Sequence, residues 1–207
     1  MQKQKWWRNF LRKRIRMADR KALTNSQFSI ISSNCWGGGG VVYHDLGHEF
    51  LSPTINLWFE PSDFLKFVES LKWYLSIEPI EDTSVKLDYP VGKIGDIHLY
   101  FMHYNSFEEA KRKWIERATR INWDNIYVVM TEWPDSSFNL YEKFEKLPYK
   151  NKVLFTIKPH PEFPSTFCLS DAGKRFGDLS KIFEFKSLFG GYRYYDEFDF
   201  VSFLNKQ

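Results

Sequence analysis

The chain has 207 residues, 43 % of them hydrophobic and 19 % aromatic, which suits one full core and excludes two large domains. Its net charge is +3, and its two cysteines, Cys35 and Cys168, form neither a disulfide framework nor a C-x-x-C pair. No apolar run is long enough to span a bilayer. These features exclude a disulfide-rich secreted domain and an integral membrane protein, and they predict a cytoplasmic location.

The start of the chain differs sharply in charge from the rest. The sequence predicts a basic aromatic helix over residues 1–24 and a single α/β domain over residues 25–207. Up to position 21 there are nine Lys or Arg residues against one acid, Asp19, which leaves 20 basic and 25 acidic residues in the rest of the chain. Because that body is acidic and offers no continuing basic track, nucleic acid is not an expected partner.

Two interpretations of this helix stay open. Trp7, Leu11 and Ile15 recur every four residues and would form one apolar edge. Aromatic rings among basic side chains suit an anionic membrane surface. In the first interpretation, residues 3–21 therefore make peripheral contact with the inner face of the membrane. The alternative is a helix whose aromatic side chains pack on the body of the same chain.

Beyond the helix, apolar patterns predict strands that alternate with helices. The predicted strands cover 26–33, 52–59, 125–131 and 152–158, with a further strand or hairpin over 85–103. The predicted helices cover 61–76, 106–121 and 134–147, with a closing helix near the C-terminus. A capping box of Ser106 and Glu109 marks the helix at 106–121. This order predicts an α/β fold with a mainly parallel sheet covered by helices, a Rossmann-like layering.

Chemically active side chains follow the predicted strands, and ligands gather at the carboxyl ends of parallel strands. One rim is therefore expected to hold a thiol, imidazoles and carboxylates. Cys35 is the candidate nucleophile and His103 its base, with Glu132 or Asp135 orienting the imidazole. The alternative for Cys35 is a small buried hydrophobe, the usual state of an unpaired cysteine.

Cys35 is followed by a tryptophan and four glycines. The backbone N–H groups of Gly37 and Gly38 would line the oxyanion and substrate side of a Cys35 site. The other candidate substrate-binding residues are Asn34, Trp36, Tyr104, Arg117, Arg120 and His160. The glycines fit no standard phosphate-binding motif, and the segment 41–50 is not a clear helix start, so a mobile loop is the alternative.

No metal site and no identifiable cofactor are predicted. His44 and His48 stand four residues apart, but Gly47 interrupts the helix that this spacing would need, and solvated loop histidines are the simpler interpretation. Arg112, Arg117 and Arg120 are compatible with an anionic substrate or with a charged outer helix face.

Four strings together resemble a bacterial family of unknown function described as exopolysaccharide or capsular polysaccharide biosynthesis proteins. The strings are IISSNCWGG, LGHEFLSPTINLWFEPSDFLKFVESLKWYL, YPVGKIGDIHLYFMHYNSFEEAKRKWIERATRIN and YVVMTE. The similarity covers about residues 26–160 and implies a role in making or modifying envelope polysaccharide. The order of Cys35, His103 and the segment 114–122 is also similar to an envelope-associated family described as papain-like. The papain-type C-G-S-C-W context is absent, so peptidase activity is not implied.

These features lead to two hypotheses. The first is a Cys-dependent acyl or other group transferase that acts on a sugar or a lipid-linked sugar in envelope polysaccharide assembly. The second is a non-catalytic saccharide-binding or assembly module in which Trp and Tyr rings stack on sugars.

Overall fold

The computed structural model describes residues 2–35, 39–134 and 136–206. The strands are β1 (Ser29–Ser32), β2 (Ile80–Glu81), β3 (Val91–Ile94), β4 (Ile97–Tyr100), β5 (Ile126–Thr131), β6 (Asn151–Thr156) and β7 (Thr166–Cys168). The helices are α1 (Gln2–Ala22), α2 (Gly39–Leu46), α3 (Pro61–Glu69), α4 (Leu71–Leu75), α5 (Phe107–Ala118), α6 (Phe138–Glu145), α7 (Ser170–Phe176) and α8 (Phe200–Leu204). A 3₁₀ turn at Tyr194–Glu197 precedes α8.

Four strands form a parallel sheet in the order β1-β5-β6-β7, and β2, β3 and β4 form a small antiparallel sheet. Apolar runs fill the inner strands of the parallel sheet, because helices cover both of its faces. Successive β5 residues alternate between two cores: Tyr127 and Val129 lie in one, and Val128 and Met130 in the other. The predicted α/β class, parallel sheet and N-terminal helix are confirmed.

The outer edge of β1 is closed by side chains. The Tyr43 hydroxyl accepts a hydrogen bond from the Ile30 N–H at 2.8 Å, and the Thr54 hydroxyl accepts one from the Ser32 N–H at 2.9 Å. The predicted strand at 52–59 is wrong, since among the described residues this segment forms no ladder with β1 and makes only one isolated bridge, between Trp58 and Tyr100. Asn56 also has a positive φ of 64°, which breaks an extended run.

Three further elements differ from the prediction. The helix expected over 61–76 is divided into α3 and α4 at Ser70, whose φ of −126° is not helical. Helix α2 begins at the end of the glycine run, so the expectation of no helix start there is wrong. Strand β7 and helix α7 lie in a segment where no element was predicted.

Helix α1 packs on the body through charged side chains. The Arg12 guanidinium is buried and donates hydrogen bonds to Asp45, to the Tyr195 hydroxyl and, at 2.6 Å, to Asp196. Arg20 donates to the backbone carbonyl of Asp45 at 2.8 Å. The helix therefore packs on the body as one interpretation held, but through arginines and not through its tryptophans. None of the helices described, α1 included, is long and apolar enough to cross a membrane.

Candidate functional site

Polar side chains link the carboxyl ends of β1, β5 and β6. The Asn34 amide after β1 donates to the Thr131 hydroxyl in β5 at 2.7 Å. The Glu132 carboxylate after β5 accepts a hydrogen bond from the backbone N–H of Ile157, just past β6. This is the edge where parallel α/β sheets bind ligands.

A cavity of about 530 Å³ opens at this edge, and we name it the sheet-edge cavity. Its volume lies in the range of small-molecule sites, roughly 300–1,000 Å³. Its lining residues are Glu132, Trp133, Pro134, Ser136, Phe138, Tyr141, Ile157, Lys158, His160, Gly177, Asp178, Leu179 and Ser180. The cavity thus combines aromatic rings with carboxylate, hydroxyl, amine and imidazole groups.

Both carboxylate oxygens of Glu132 are held by hydrogen bonds in the sheet-edge cavity. One carboxylate oxygen accepts from the Tyr141 hydroxyl at 2.7 Å, and the other accepts from the Ile157 N–H. Burial raises the pKa of Tyr141, and its hydrogen bond to Glu132 raises that pKa further. Tyr141 therefore stays protonated and serves as a hydrogen-bond donor that fixes the carboxylate.

Aromatic side chains form the walls of the cavity and continue beyond it. The ring of His160 lies 4.6 Å from that of Tyr141, and the two rings are inclined at 49°. Trp133 lies 5.1 Å from Trp58, whose ring is stacked on Tyr100 at 3.9 Å and 12°. A row of half-buried rings therefore runs from the sheet-edge cavity to the antiparallel sheet.

A second cavity, of about 350 Å³, is named here the Cys35 cavity. Its lining residues are Arg16, Cys35, Gly40, Val41, His44, Asp45, Phe50, Asn56, His103 and Arg193. Cys35 and His103 therefore line the same space, as the proposed nucleophile and base would have to. His103 follows β4, in the antiparallel hairpin that was one of the two forms predicted for 85–103, so it does not follow a strand of the parallel sheet whose rim it was expected to share.

The surroundings of Cys35 favour the protonated thiol. Burial raises the pKa of Cys35 to about 11, and the thiol points to the backbone carbonyl of Leu57 at 3.6 Å. Reactive cysteines show the opposite shift, because a nearby cation or helix N-terminus lowers the thiol pKa. Covalent catalysis by Cys35 therefore stays a prediction, without support from the protonation state of this thiol.

Glu132, the described one of the two proposed orienting carboxylates, does not line the Cys35 cavity. It lines the sheet-edge cavity with His160. Four predicted site residues lie outside the described part of the chain: Trp36, Gly37, Gly38 and Asp135. The predicted rim is thus divided into two cavities.

Three predicted substrate-binding residues make contacts within the fold. Arg117 is buried and donates to the Tyr104 hydroxyl at 2.7 Å, which in turn donates to the carbonyl of Ile55 at 3.1 Å. Arg120 pairs with Glu116 on the surface of α5. These contacts give each of the three residues a structural role, and substrate binding by them stays a prediction.

The histidine pair next to the glycines is separated by the end of a helix. Helix α2 ends at Leu46, and Gly47 follows with a positive φ of 73°, so His48 lies outside the helix that carries His44. Within residues 2–35, 39–134 and 136–206, no group of three or more His, Cys, Asp or Glu side chains is placed to hold a metal ion.

Several residues of the sheet-edge cavity were not predicted from the sequence. Tyr141 stands at one of the regularly spaced apolar positions of α6, so the sequence predicts only that it lies in the core. Lys158 is the last residue of the predicted strand 152–158, close to the strand end whose inspection identified His160. Asp178 and Ser180 lie beyond α7, and no sequence pattern indicates that this loop returns to the sheet edge.

Comparison with known proteins gives two findings. A family model described as a domain of unknown function, DUF1919, matches residues 6–205. An uncharacterized protein of Haemophilus influenzae is 38% identical over 185 residues, which cover 89% of this chain and 87% of that protein. These findings agree with the coarser part of the resemblance noted from the sequence, a bacterial family of unknown function, and neither description specifies a polysaccharide or a reaction.

Proposed function

Because the chain belongs to the DUF1919 family, whose description specifies no reaction, we propose a function from its geometry: it binds a saccharide of bacterial envelope polysaccharide in the sheet-edge cavity. In this proposal it serves exopolysaccharide or capsule assembly as a binding module. The resemblance noted from the sequence supplies the polysaccharide context.

The observation that carries this proposal is the pairing of aromatic rings with a fixed carboxylate. Sugars present apolar C–H faces, which stack on rings such as Trp133 and Phe138, and hydroxyl groups, which donate to carboxylates. Glu132 is already oriented by Tyr141 and Ile157, so little ordering is needed when a ligand binds. The row of Trp133, Trp58 and Tyr100 offers stacking surfaces for further sugar units.

Isothermal titration of the full chain with neutral, amino and uronic hexoses and their disaccharides tests the proposal. We expect binding by the wild type and a loss of about tenfold or more in Glu132→Gln, because hydrogen bonds to charged groups contribute about 1.5–3 kcal/mol. Trp133→Ala is expected to weaken binding through lost stacking.

The matched control is Glu116→Gln, a carboxylate on the surface of α5 that does not line the cavity. It is expected to bind as the wild type does. Binding that is equal in Glu132→Gln and Glu116→Gln, or no binding to any of these sugars, would refute the proposal.

A second candidate function is a group transferase based on Cys35 and His103, and one observation favours it: both residues line one cavity. Arg16 and Arg193 line it too and suit the phosphate of an activated or lipid-linked sugar. Cys35 would attack the acyl carbon of an ester donor, His103 would accept the thiol proton and return it to the leaving group, and a sugar hydroxyl would then displace the thioester. The raised thiol pKa makes this the weaker candidate.

A further inference from the structure

The face of α1 that points away from the body is strongly apolar. Trp6 and Met17 are 66% and 61% exposed, and Trp7 and Phe10 are 44% and 42% exposed. Phe10 lies 5.9 Å from Trp6 and 5.8 Å from Trp7, so the three rings form one cluster. Large side chains this exposed on a packed helix indicate an interaction surface.

The charges on this outward face are all positive among the described side chains. Lys13, Arg14 and Lys21 are exposed and stand three or four residues from Phe10 or Met17, which places them on the same side of the helix. Asp19, the one acid of α1, lies on the inner side, where it lines a cavity between α1 and the body. The outward face therefore complements an anionic surface.

A loop of the body packs closely against α1. Gly191 approaches the helix so closely that a Cβ atom there would lie 2.8 Å from the backbone nitrogen of Arg12 and from the Cβ of Leu11. This contact, like the ion pairs of Arg12, holds the inner side of α1 on the body and leaves the outward face uncovered.

We propose that the outward face of α1 binds the surface of an anionic phospholipid bilayer. The aromatic rings would enter the headgroup region, and the basic side chains would contact lipid phosphates while α1 lies parallel to the surface. This inference is independent of the proposed saccharide binding.

Because ion pairs fix α1 to the body, a bilayer bound to α1 would also set the orientation of the rest of the molecule. Arg12 fixes the helix to Asp45 and Asp196, and Arg16 reaches the Cys35 cavity from the same inner face. A bilayer bound to the outward face would lie one helix diameter, about 10 Å, from that cavity. This arrangement suits ligands attached to lipids.

Sedimentation of the full chain with phospholipid vesicles tests the proposal. We expect binding to vesicles of phosphatidylcholine mixed with phosphatidylglycerol, at least about tenfold weaker binding to phosphatidylcholine alone, and loss of binding at high salt. Trp6→Ser/Trp7→Ser/Phe10→Ser and Lys13→Glu/Arg14→Glu are each expected to weaken binding about tenfold or more.

Matched controls are Trp73→Ser, an exposed tryptophan of α4, and Lys143→Glu/Lys146→Glu, in the last turn of α6 and directly after it, which changes the net charge equally. Circular dichroism confirms folding of each variant. Equal binding to both vesicle types, or equal loss in the α1 variants and the control variants, would overturn the proposal. So would sedimentation equilibrium showing that the wild type self-associates through α1 and binds no vesicles. Saccharide binding is measured separately, so either proposal can fail alone.

Discussion

Cys35 shows how its neighbours decide the chemistry of a single side chain. The glycines and the strand end that make it a candidate nucleophile are sequence features, but its burial beside the Leu57 carbonyl is a tertiary one. Since a thiol reacts as the thiolate, a pKa near 11 leaves more than about 100-fold less reactive form at pH 7 than a free cysteine has.

We expect alkylation of Cys35 by iodoacetamide to be slow at neutral pH and to accelerate about tenfold per pH unit toward pH 11. Peptide mass spectrometry measures it alongside Cys168. The profile is expected to be unchanged in His103→Ala. Fast alkylation of Cys35 well below pH 8.5 that disappears in His103→Ala would instead establish the Cys35–His103 pair and favour the transferase.

At the scale of an element, helix α7 shapes the sheet-edge cavity through a close backbone contact. A Cβ atom on Gly173 would lie 2.8 Å from the carbonyl oxygen of Ile157 and 2.9 Å from its Cβ. Ile157 is also the residue whose N–H binds Glu132. The glycine therefore permits the approach of α7 to the strand end that supports the site.

Gly173→Ala is expected to destabilise the protein by about 1–3 kcal/mol through overpacking, measured as the free energy of unfolding in urea. Gly40→Ala in α2 is the control, because a Cβ there meets Ile55 at an ordinary 3.4 Å. That variant should be neutral or slightly stabilised by helix propensity. Equal effects in the two variants would show that the contact with Ile157 is not limiting.

At the scale of the whole molecule, a buried charge cluster joins the first helix to the C-terminal segment. Asp45 binds Arg12 and Tyr195, and Arg12 also binds Asp196. Burial would raise the pKa of Asp45, but hydrogen bonds from Tyr195 and Arg12 outweigh it, so the pKa lies below its ordinary value. The stability from this ionised group is present at neutral pH and is lost as acid protonates it in the folded state.

Asp45→Asn is expected to lower the free energy of unfolding by about 3–5 kcal/mol at pH 7, because it leaves the Arg12 guanidinium buried with one carboxylate fewer. Urea unfolding measures the change. The control Asp171→Asn removes an exposed ion pair with Lys186 and should change stability little. If Asp45→Asn costs no more than the control, the cluster does not hold α1 on the body.

Much of the fold could be predicted from the sequence because its signals are local. The apolar run of β5, the capping residue Ser106 of α5 and the four-residue spacing in α1 each depend on near neighbours along the chain. The strand predicted over 52–59 does not form. The outer edge of β1 bonds instead to side chains, such as the Thr54 hydroxyl that accepts from the Ser32 N–H, and no local sequence pattern indicates this.

The sequence by itself determined the α/β class, the helix at the start of the chain and the strand ends where Cys35, Glu132 and His160 stand. Tertiary structure alone decided that these residues divide between two cavities and that Tyr141 joins Glu132. It also decided that α1 turns Arg12 and Arg16 inward and its tryptophans outward. The physical reason is that pKa values, cavities and buried ion pairs arise between residues far apart in the chain, whereas propensity and periodicity act over a few residues.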